Sequence, residues 1–343
     1  MPGHDVIVVG ASAGGVEALV TLTRSLPRKL PAAVFLVLHI PAQSPSFLPE
    51  ILTRAGRLKA VHATDEMEIE YGHIYVAPPD HHMLVERGKV RVVRGPKENR
   101  HRPAVDPLFR SAALAYGPCV IGVILTGALD DGTAGLLAVK RRGGIAIVQD
   151  PHEALYPSMP LSAIENVEVD YTLPLASIGT QLRQLADKRA KEEGGYPVSE
   201  DMEKETKLAE MDMALMHNNE QVGTPSAFSC PECGGVLWEI QDGDLLRFRC
   251  RVGHAFSVES VLAEQSDALE EALWVALKTL QESADLAQRL ALQAHKRGQE
   301  WLAKRFDDKQ HAALQRAALI RRVLLKNEPG VETEIAQEQQ QKA

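Results

Sequence analysis

Ser12 stands in Gly10-Ala11-Ser12-Ala13-Gly14, after the apolar run 5–9 and before an amphipathic stretch that Pro27 stops. G-x-S-x-G between a strand and a helix suits a nucleophile. The sharp turn lifts the hydroxyl above the sheet edge, and the helix start leaves backbone N–H groups free for an oxyanion. The same glycines, read as G-x-x-x-G-G, also fit a phosphate-cradling turn, although serine at position 12 breaks the dinucleotide pattern G-x-G-x-x-G. A serine nucleophile needs a base, and the base needs an orienting acid. His39 closes a second apolar run, 33–38, while Asp130 and Asp131 follow a third, 119–125, through Thr126-Gly127. Taken singly, a strand-end histidine is commonplace and Asp-Asp-Gly makes an ordinary turn. Three reactive residue types at the ends of three runs are more specific, because ligands of open α/β sheets bind outside the carboxyl ends of the strands.

A second constellation lies further on. Cys230-Pro-Glu-Cys233 and Cys250-Arg-Val-Gly-His254 form C-x2-C-x16-C-x3-H. Two short turns carrying soft ligands can close a tetrahedral zinc site, and four protein ligands make such a site structural. Iron is the lesser alternative, since one ligand is a histidine. Between the turns, VLWEI and LLRFR flank Asp242-Gly243 as a β-hairpin. So small a ribbon has little core of its own, and metal binding would supply most of its folding energy.

These residues need a frame. Buried strands are expected at 5–9, 33–38, 119–125 and 144–148, with further strands near 73–77, 82–86 and 89–94, the last two as a hairpin about Arg87-Gly88. Helices are expected over 16–26, 107–116 (Asp106 as cap, Pro107 as first residue), after Gly132, and over 174–190. Strands alternating with helices imply an α/β fold: a mostly parallel, doubly wound sheet with helices on both faces. The division expected is a catalytic domain at 1–186, a charged linker with a short helix at 187–226, a zinc ribbon at 227–256, a helical hairpin broken near Gly298 at 257–326, and a disordered tail at 327–343.

Composition narrows the function. The net charge of -8 and 5% aromatic content argue against a nucleic-acid binder. Residues 1–186 carry 18 basic and 18 acidic side chains, and the remainder 20 and 28, so the later region holds all the excess acid. No run reaches the roughly 18 apolar residues of a membrane span, and residues 5–9 lack the basic flank of a signal peptide. A cytoplasmic protein is therefore expected, with thiols ligating metal rather than paired as disulfides.

VIVVGASAGGVEAL, VLHIP with a following helix, HRPAVDPLFRSAA, VILTGALDDGTAGL and SMPLSAI, in that order, resemble the catalytic domain of CheB-type protein-glutamate methylesterases over about residues 1–186. The resemblance implies a cofactor-free hydrolase acting on glutamate methyl esters of chemoreceptor helices. It further implies Ser12 as nucleophile, His39 as base, Asp131 rather than Asp130 as orienting acid, and backbone N–H groups of Ala13 and Ala128 as oxyanion donors. Three departures stand out: Ala128-Leu129 replaces Met-Gly, Ala13 replaces a frequent threonine, and the chain begins at the first catalytic strand, where such proteins usually carry a phosphoreceiver domain. Arg87, Lys89, Arg91, Arg94, Lys97, Arg100 and Arg102 against Glu98 read either as a solvated hairpin face or as steering for an acidic protein substrate.

Competing readings are a regulatory protein that keeps the fold but docks partners through the ribbon and helices, and a phosphate binder. No acid follows the second strand to hold a ribose, which disfavours the latter. The acidic linker could bring the ribbon back to the basic 87–102 stretch. Alternatively, the 257–326 helices form an independent module for a homodimer or a partner complex.

Overall fold

The computed structural model describes residues 3–190, 196–210 and 222–326. Two compact units are separable, Met1–Val261 and Leu262–Ala343.

Alternating apolar runs and amphipathic stretches build the first unit. Its strands are β1 (Val6–Ala11), β2 (Ala33–Leu38), β3 (Lys59–His62), β4 (Met67–Glu68), β5 (His73–Val76), β6 (His82–Glu86), β7 (Lys89–Val93), β8 (Val120–Ile124), β9 (Ile145–Gln149) and β10 (Tyr171–Leu173). Helices α1 (Gly15–Ser25), α2 (Leu48–Ala55), α3 (Val105–Tyr116), α4 (Thr133–Arg141), α5 (Ser158–Asn166) and α6 (Leu175–Ala186) alternate with them. Seven strands form one parallel sheet in the order β10-β9-β8-β1-β2-β5-β3. Each central strand is buried on both sides. Val6, Val8, Phe35 and Val37 pack into one layer with Phe109 of α3, while Ile7, Val9, Leu36 and Leu38 pack into the other with Leu19 of α1 and Leu182 of α6. That burial is why these strands are continuous apolar runs rather than alternating ones. The chain winds outward from β1 through β2 and returns at β8, so the winding reverses between β1 and β8. Crevices of doubly wound sheets open at such a reversal.

β6 and β7 pair as the expected hairpin, with β4 added on its edge. The short strand β3 was not legible in sequence, because KAVH at a sheet edge carries neither an apolar run nor clear alternation. The expected cap of α3 is corrected: Ala104 takes the N-cap, and Asp106 lies inside the first turn. Its carboxylate is taken by Gly135 N–H at 2.6 Å and by Asn99 Nδ2 at 2.8 Å.

The charged stretch 187–226 holds its helix, α7, at Glu200–Ala209, capped by Ser199 Oγ on Met202 N–H at 3.2 Å. Met202, Leu208 and Ala209 are buried, so this piece is packed rather than free. β11 (Thr224–Ser229), β12 (Val236–Asp242), β13 (Leu245–Cys250) and β14 (Ala255–Ser257) form an antiparallel four-stranded sheet, with the expected hairpin between β12 and β13. Leu237, Phe248 and Phe256 are its small core.

In the other unit, a long helix that begins before the boundary (Val258–Lys296) turns at Gly298, φ 68°, into a second, Glu300–Lys326. The pair closes over Leu277, Ala317 and Leu324. Residues 191–195, 211–221 and the expected tail at 327–343 lie outside the described residues.

Candidate active site

Strand register brings the three expected residues together. Leu38 pairs with Ala11, and His39 N–H continues the ladder onto Ala11 O at 3.2 Å, which seats His39 beside Ser12. On the other side of β1, Leu125 N–H donates to Gly10 O at 2.9 Å, and Ser12 N–H to Thr126 O at 3.0 Å. The turn after β1 is thus zipped to the loop after β8. Two glycines permit the approach. Gly14 takes φ 72° at the start of α1, and a Cβ on Gly127 would lie 2.9 Å from Ser12 Cβ and 2.0 Å from Met159 Sδ.

Ser12 Oγ lies 3.0 Å from His39 Nδ1, and His39 Nε2 lies 2.7 Å from Asp131 Oδ2. The imidazole therefore offers Nδ1 to the serine and Nε2 to the acid, the reverse of the chymotrypsin arrangement. With the proton on Nε2, that N–H donates to Asp131, and Nδ1 is free to accept from Ser12 Oγ–H. Asp131 is buried, its side chain 2% exposed. Burial pushes its carboxyl up, but the hydrogen bond and charge of His39, Val105 N–H at 2.6 Å and Asn99 Nδ2 at 2.9 Å outweigh this and hold it below the ordinary value. Asp106, buried beside it, moves the opposite way, up to about 8, through burial and the charge of Asp131. The pair thus divides into one ionised and one neutral carboxyl at neutral pH.

Asp130 points elsewhere. It accepts from Ser257 Oγ at 2.6 Å, and burial, with Glu259 and Asp131 nearby, raises it to about 7.

Leu129 adopts φ 60°, the left-handed region that favours glycine. The loop therefore keeps a glycine conformation at the position where the resemblance expects glycine, and leucine bears the strain. Neither Ala13 N–H nor Ala128 N–H donates to an acceptor among the described residues.

His101 was not singled out in the sequence. Its ring stacks on His39 with centroids 3.6 Å apart at 14°. Burial, then the charge of His39, pushes it down to about 3, so it packs as a neutral ring. Asn99 was missed as well, although it stands two residues before the motif that His101 opens. Their residue types carry no sign of what they touch.

Ser12, Ala13, His39 and His101 open onto a cleft of about 710 Å³ rimmed by Arg94, Lys97, Arg100 and Arg102. The basic stretch 87–102 thus has two parts. Lys89 and Arg91 pair with Glu66, Glu86 and Asp65 on the hairpin, whereas the later four face the cleft. Asp80 anchors Arg94 and Arg102.

The four metal candidates also converge. Ligand atoms of Cys230, Cys233, Cys250 and His254 all lie within 4.8 Å of one another. Cys233 Sγ–Cys250 Sγ is 3.7 Å and Cys250 Sγ–His254 Nδ1 is 3.5 Å. Zinc–sulfur bonds of about 2.3 Å in a tetrahedron require edges of about 3.8 Å, so the donor set fits zinc. Gly234 N–H on Cys230 O, and Gly253 N–H on Cys250 O, form the two supporting turns.

Known proteins bear on this geometry. The family model "CheB methylesterase" matches residues 7–182. A Leptospira interrogans protein named putative protein-glutamate methylesterase/protein-glutamine glutaminase is 42% identical over 176 residues, covering 51% of this chain and 91% of that protein. A Hydrogenovibrio crunogenus protein-glutamate methylesterase/protein-glutamine glutaminase is 37% identical over 191 residues, 54% of this chain and 50% of its own length. The crystal structure of the Thermotoga maritima CheB methylesterase catalytic domain superposes with a TM-score of 0.51 at 35% identity, covering 54% of this chain and all of that one. By fold and by sequence, this chain belongs to the CheB methylesterase family.

Proposed function

We propose that the chain is a serine hydrolase that removes methyl groups from glutamate side-chain esters of chemoreceptor helices or of a related methylated protein. The observation that carries this is the contact series Ser12 Oγ–His39 Nδ1–His39 Nε2–Asp131, at 3.0 and 2.7 Å, in a member of a methylesterase family.

In this reading His39 Nδ1 accepts the Ser12 hydroxyl proton as Oγ attacks the ester carbonyl. Ala13 and Ala128 N–H groups hold the oxyanion, and Asp131 stabilises the imidazolium. Collapse of the tetrahedral intermediate breaks the acyl–methoxy bond, and the leaving oxygen takes the proton from His39 as methanol departs. Water then gives its proton to His39 while its oxygen attacks the acyl carbon. Cleavage of the acyl–Oγ bond returns that proton to Ser12 and leaves glutamate. The relatives' names carry a second activity, on glutamine, which the same acyl-enzyme route accommodates with ammonia as the leaving group. Arg94, Lys97, Arg100 and Arg102 around the cleft favour a substrate with acidic residues flanking the ester.

Cys230, Cys233, Cys250 and His254 are read as a closed, structural zinc site with no part in the chemistry. The exposed helical unit is read as a self-association element.

The test is methanol release from methyl-labelled chemoreceptor by the purified chain. Wild-type protein should turn over. Ser12→Ala should lose activity by about 10⁶-fold, with its thermal melt nearly unchanged, and Asp131→Asn by about 10⁴-fold. Full turnover by Ser12→Ala would remove the nucleophile assignment.

A further inference from the structure

Asp131 is held by groups of two origins. Val105 and Asp106 N–H groups, at 2.6 and 3.3 Å, belong to the first turn of α3 and come with the α/β frame. Asn99 Nδ2, at 2.9 Å, does not. Asn99 lies in a loop at φ 48°, and both its backbone and its side chain are clasped by β14 of the Cys/His module. Its N–H donates to Ala255 O at 2.8 Å, and its Oδ1 accepts from Ser257 N–H at 2.9 Å. The second bond sets the orientation of the carboxamide. With Oδ1 engaged by the module, Nδ2 faces the carboxylate of Asp131 and the carboxyl of Asp106. Without that donor the amide can turn and set its oxygen against them.

The clasp is tied to the metal candidates. Ala255 follows His254 directly, and its N–H donates to Lys97 O at 3.2 Å. Arg249, which precedes Cys250, donates to Gly253 O at 2.8 Å within the ligand loop and to Glu98 Oε1 at 3.1 Å across the junction. Arg110 of α3 holds the same glutamate at 2.7 Å. Burial pushes Glu98 up, but the charges of Arg110 and Arg249 bring it down to about 2, so an ionised carboxylate sits between two arginines. Lys97–Glu232, at 2.6 Å, closes the outer edge. Docking therefore does not rest on an acidic module meeting a basic surface alone: the buried pair has the opposite polarity, with the arginine on the module.

We propose that the Cys/His module is a positioning element for the esterase, fixing Asn99 so that its amide holds Asp131 against His39. Loosening the module then weakens the acid–base pair, and at the cleft it releases the hold on Lys97. The rate measurements below rest on the esterase reading, but the spectroscopic one does not.

The experiment uses the full chain. Asn99→Gly keeps the left-handed backbone and removes the carboxamide. Its kcat should fall about 10- to 100-fold with KM within about 2-fold, the loss expected of one hydrogen bond to a charged group. The His39 Nε2–H resonance should move upfield and exchange faster with water. Extracting the metal from wild-type protein with a chelator, followed by metal analysis, should produce the same two changes, and zinc should reverse them. In Asn99→Gly, extraction should add little, because both perturbations act through one contact. Unchanged kcat and an unchanged His39 resonance in Asn99→Gly would overturn the proposal, as would equal, additive losses on extraction in both proteins. If wild-type protein hydrolyses no methyl ester, the functional reading fails, while the His39 resonance still decides the positioning role.

Discussion

At the scale of single residues, the site turns on backbone positions as much as on side chains. Leu129 is the clearest case. At φ 60° a leucine costs roughly 1–2 kcal/mol relative to an unstrained position. Glycine removes that strain but adds unfolded-state freedom. Leu129→Gly should therefore melt no lower than wild type and up to about 1 kcal/mol more stable, with Ala128 N–H left in place. Denaturant titration checks the stability, and an active variant would show that the backbone, not the leucine side chain, is what the loop requires. Ser12 and His39 could be singled out because their types are reactive and they end apolar runs. Asn99 and His101 could not, since an amide and a neutral imidazole in a polar loop look like surface residues until their partners are known.

At the scale of elements, the loop after β8 serves two clients. Asp131 faces His39, and its neighbour Asp130 accepts from Ser257 at the start of the long helix. Burial first, then Glu259 and Asp131, raises the Asp130 carboxyl from 3.8 to about 7. A raised carboxyl binds its proton more tightly in the folded state. The stability it contributes is complete below about pH 4 and is lost as pH rises through about 7. Asp130→Asn retains an acceptor for Ser257 and cannot ionise. Relative to wild type it should gain on the order of 1–3 kcal/mol on going from pH 5.5 to pH 8.5, read from urea midpoints at the two values. An equal pH slope for both proteins would mean that Asp130 does not carry the titration.

The module containing β11 to β14 makes a second element-scale prediction. Its core is Leu237, Phe248 and Phe256 with few others, too small to stand without further support. Purified protein should contain close to one zinc per chain. Cys233→Ser should release it and expose residues 227–256 to protease, while the parallel sheet of residues 1–186 stays folded. Full metal content in a Cys230→Ser/Cys233→Ser double variant would refute the ligand set.

At the scale of the whole molecule, the helical unit by itself leaves apolar side chains exposed among the described residues. It buries Leu277, Ala317 and Leu324, yet Leu262 and Leu269, one heptad apart, are 57% and 61% exposed. An antiparallel helical pair alone buries little, so a second copy is the expected occupant. Light scattering should give a dimer for the full chain, and Leu262→Glu/Leu269→Glu should give a monomer with unchanged ester hydrolysis. A monomeric wild type across the micromolar range would remove the dimer reading. Among the described residues, no helix is long and apolar enough to cross a membrane.

The sequence by itself determined the parallel sheet, because strands buried on both faces must be continuous apolar runs and helices must alternate with them. It also located Ser12 and His39 at the carboxyl ends of two such runs, and the Cys/His spacing of a candidate metal site. Choosing Asp131 over Asp130 took the family resemblance, and the structure gives the physical reason: only Asp131 lies under His39 and the first amides of α3. Tertiary structure alone decided that Asp106 is a buried partner of Asp131 rather than a helix cap, that His101 stacks on His39, and that Arg249 crosses to Glu98. Periodicity and spacing report a residue's neighbours along the chain. These contacts join segments up to 151 residues apart in sequence, and they exist only because burial makes every polar group find a partner wherever the fold has brought one.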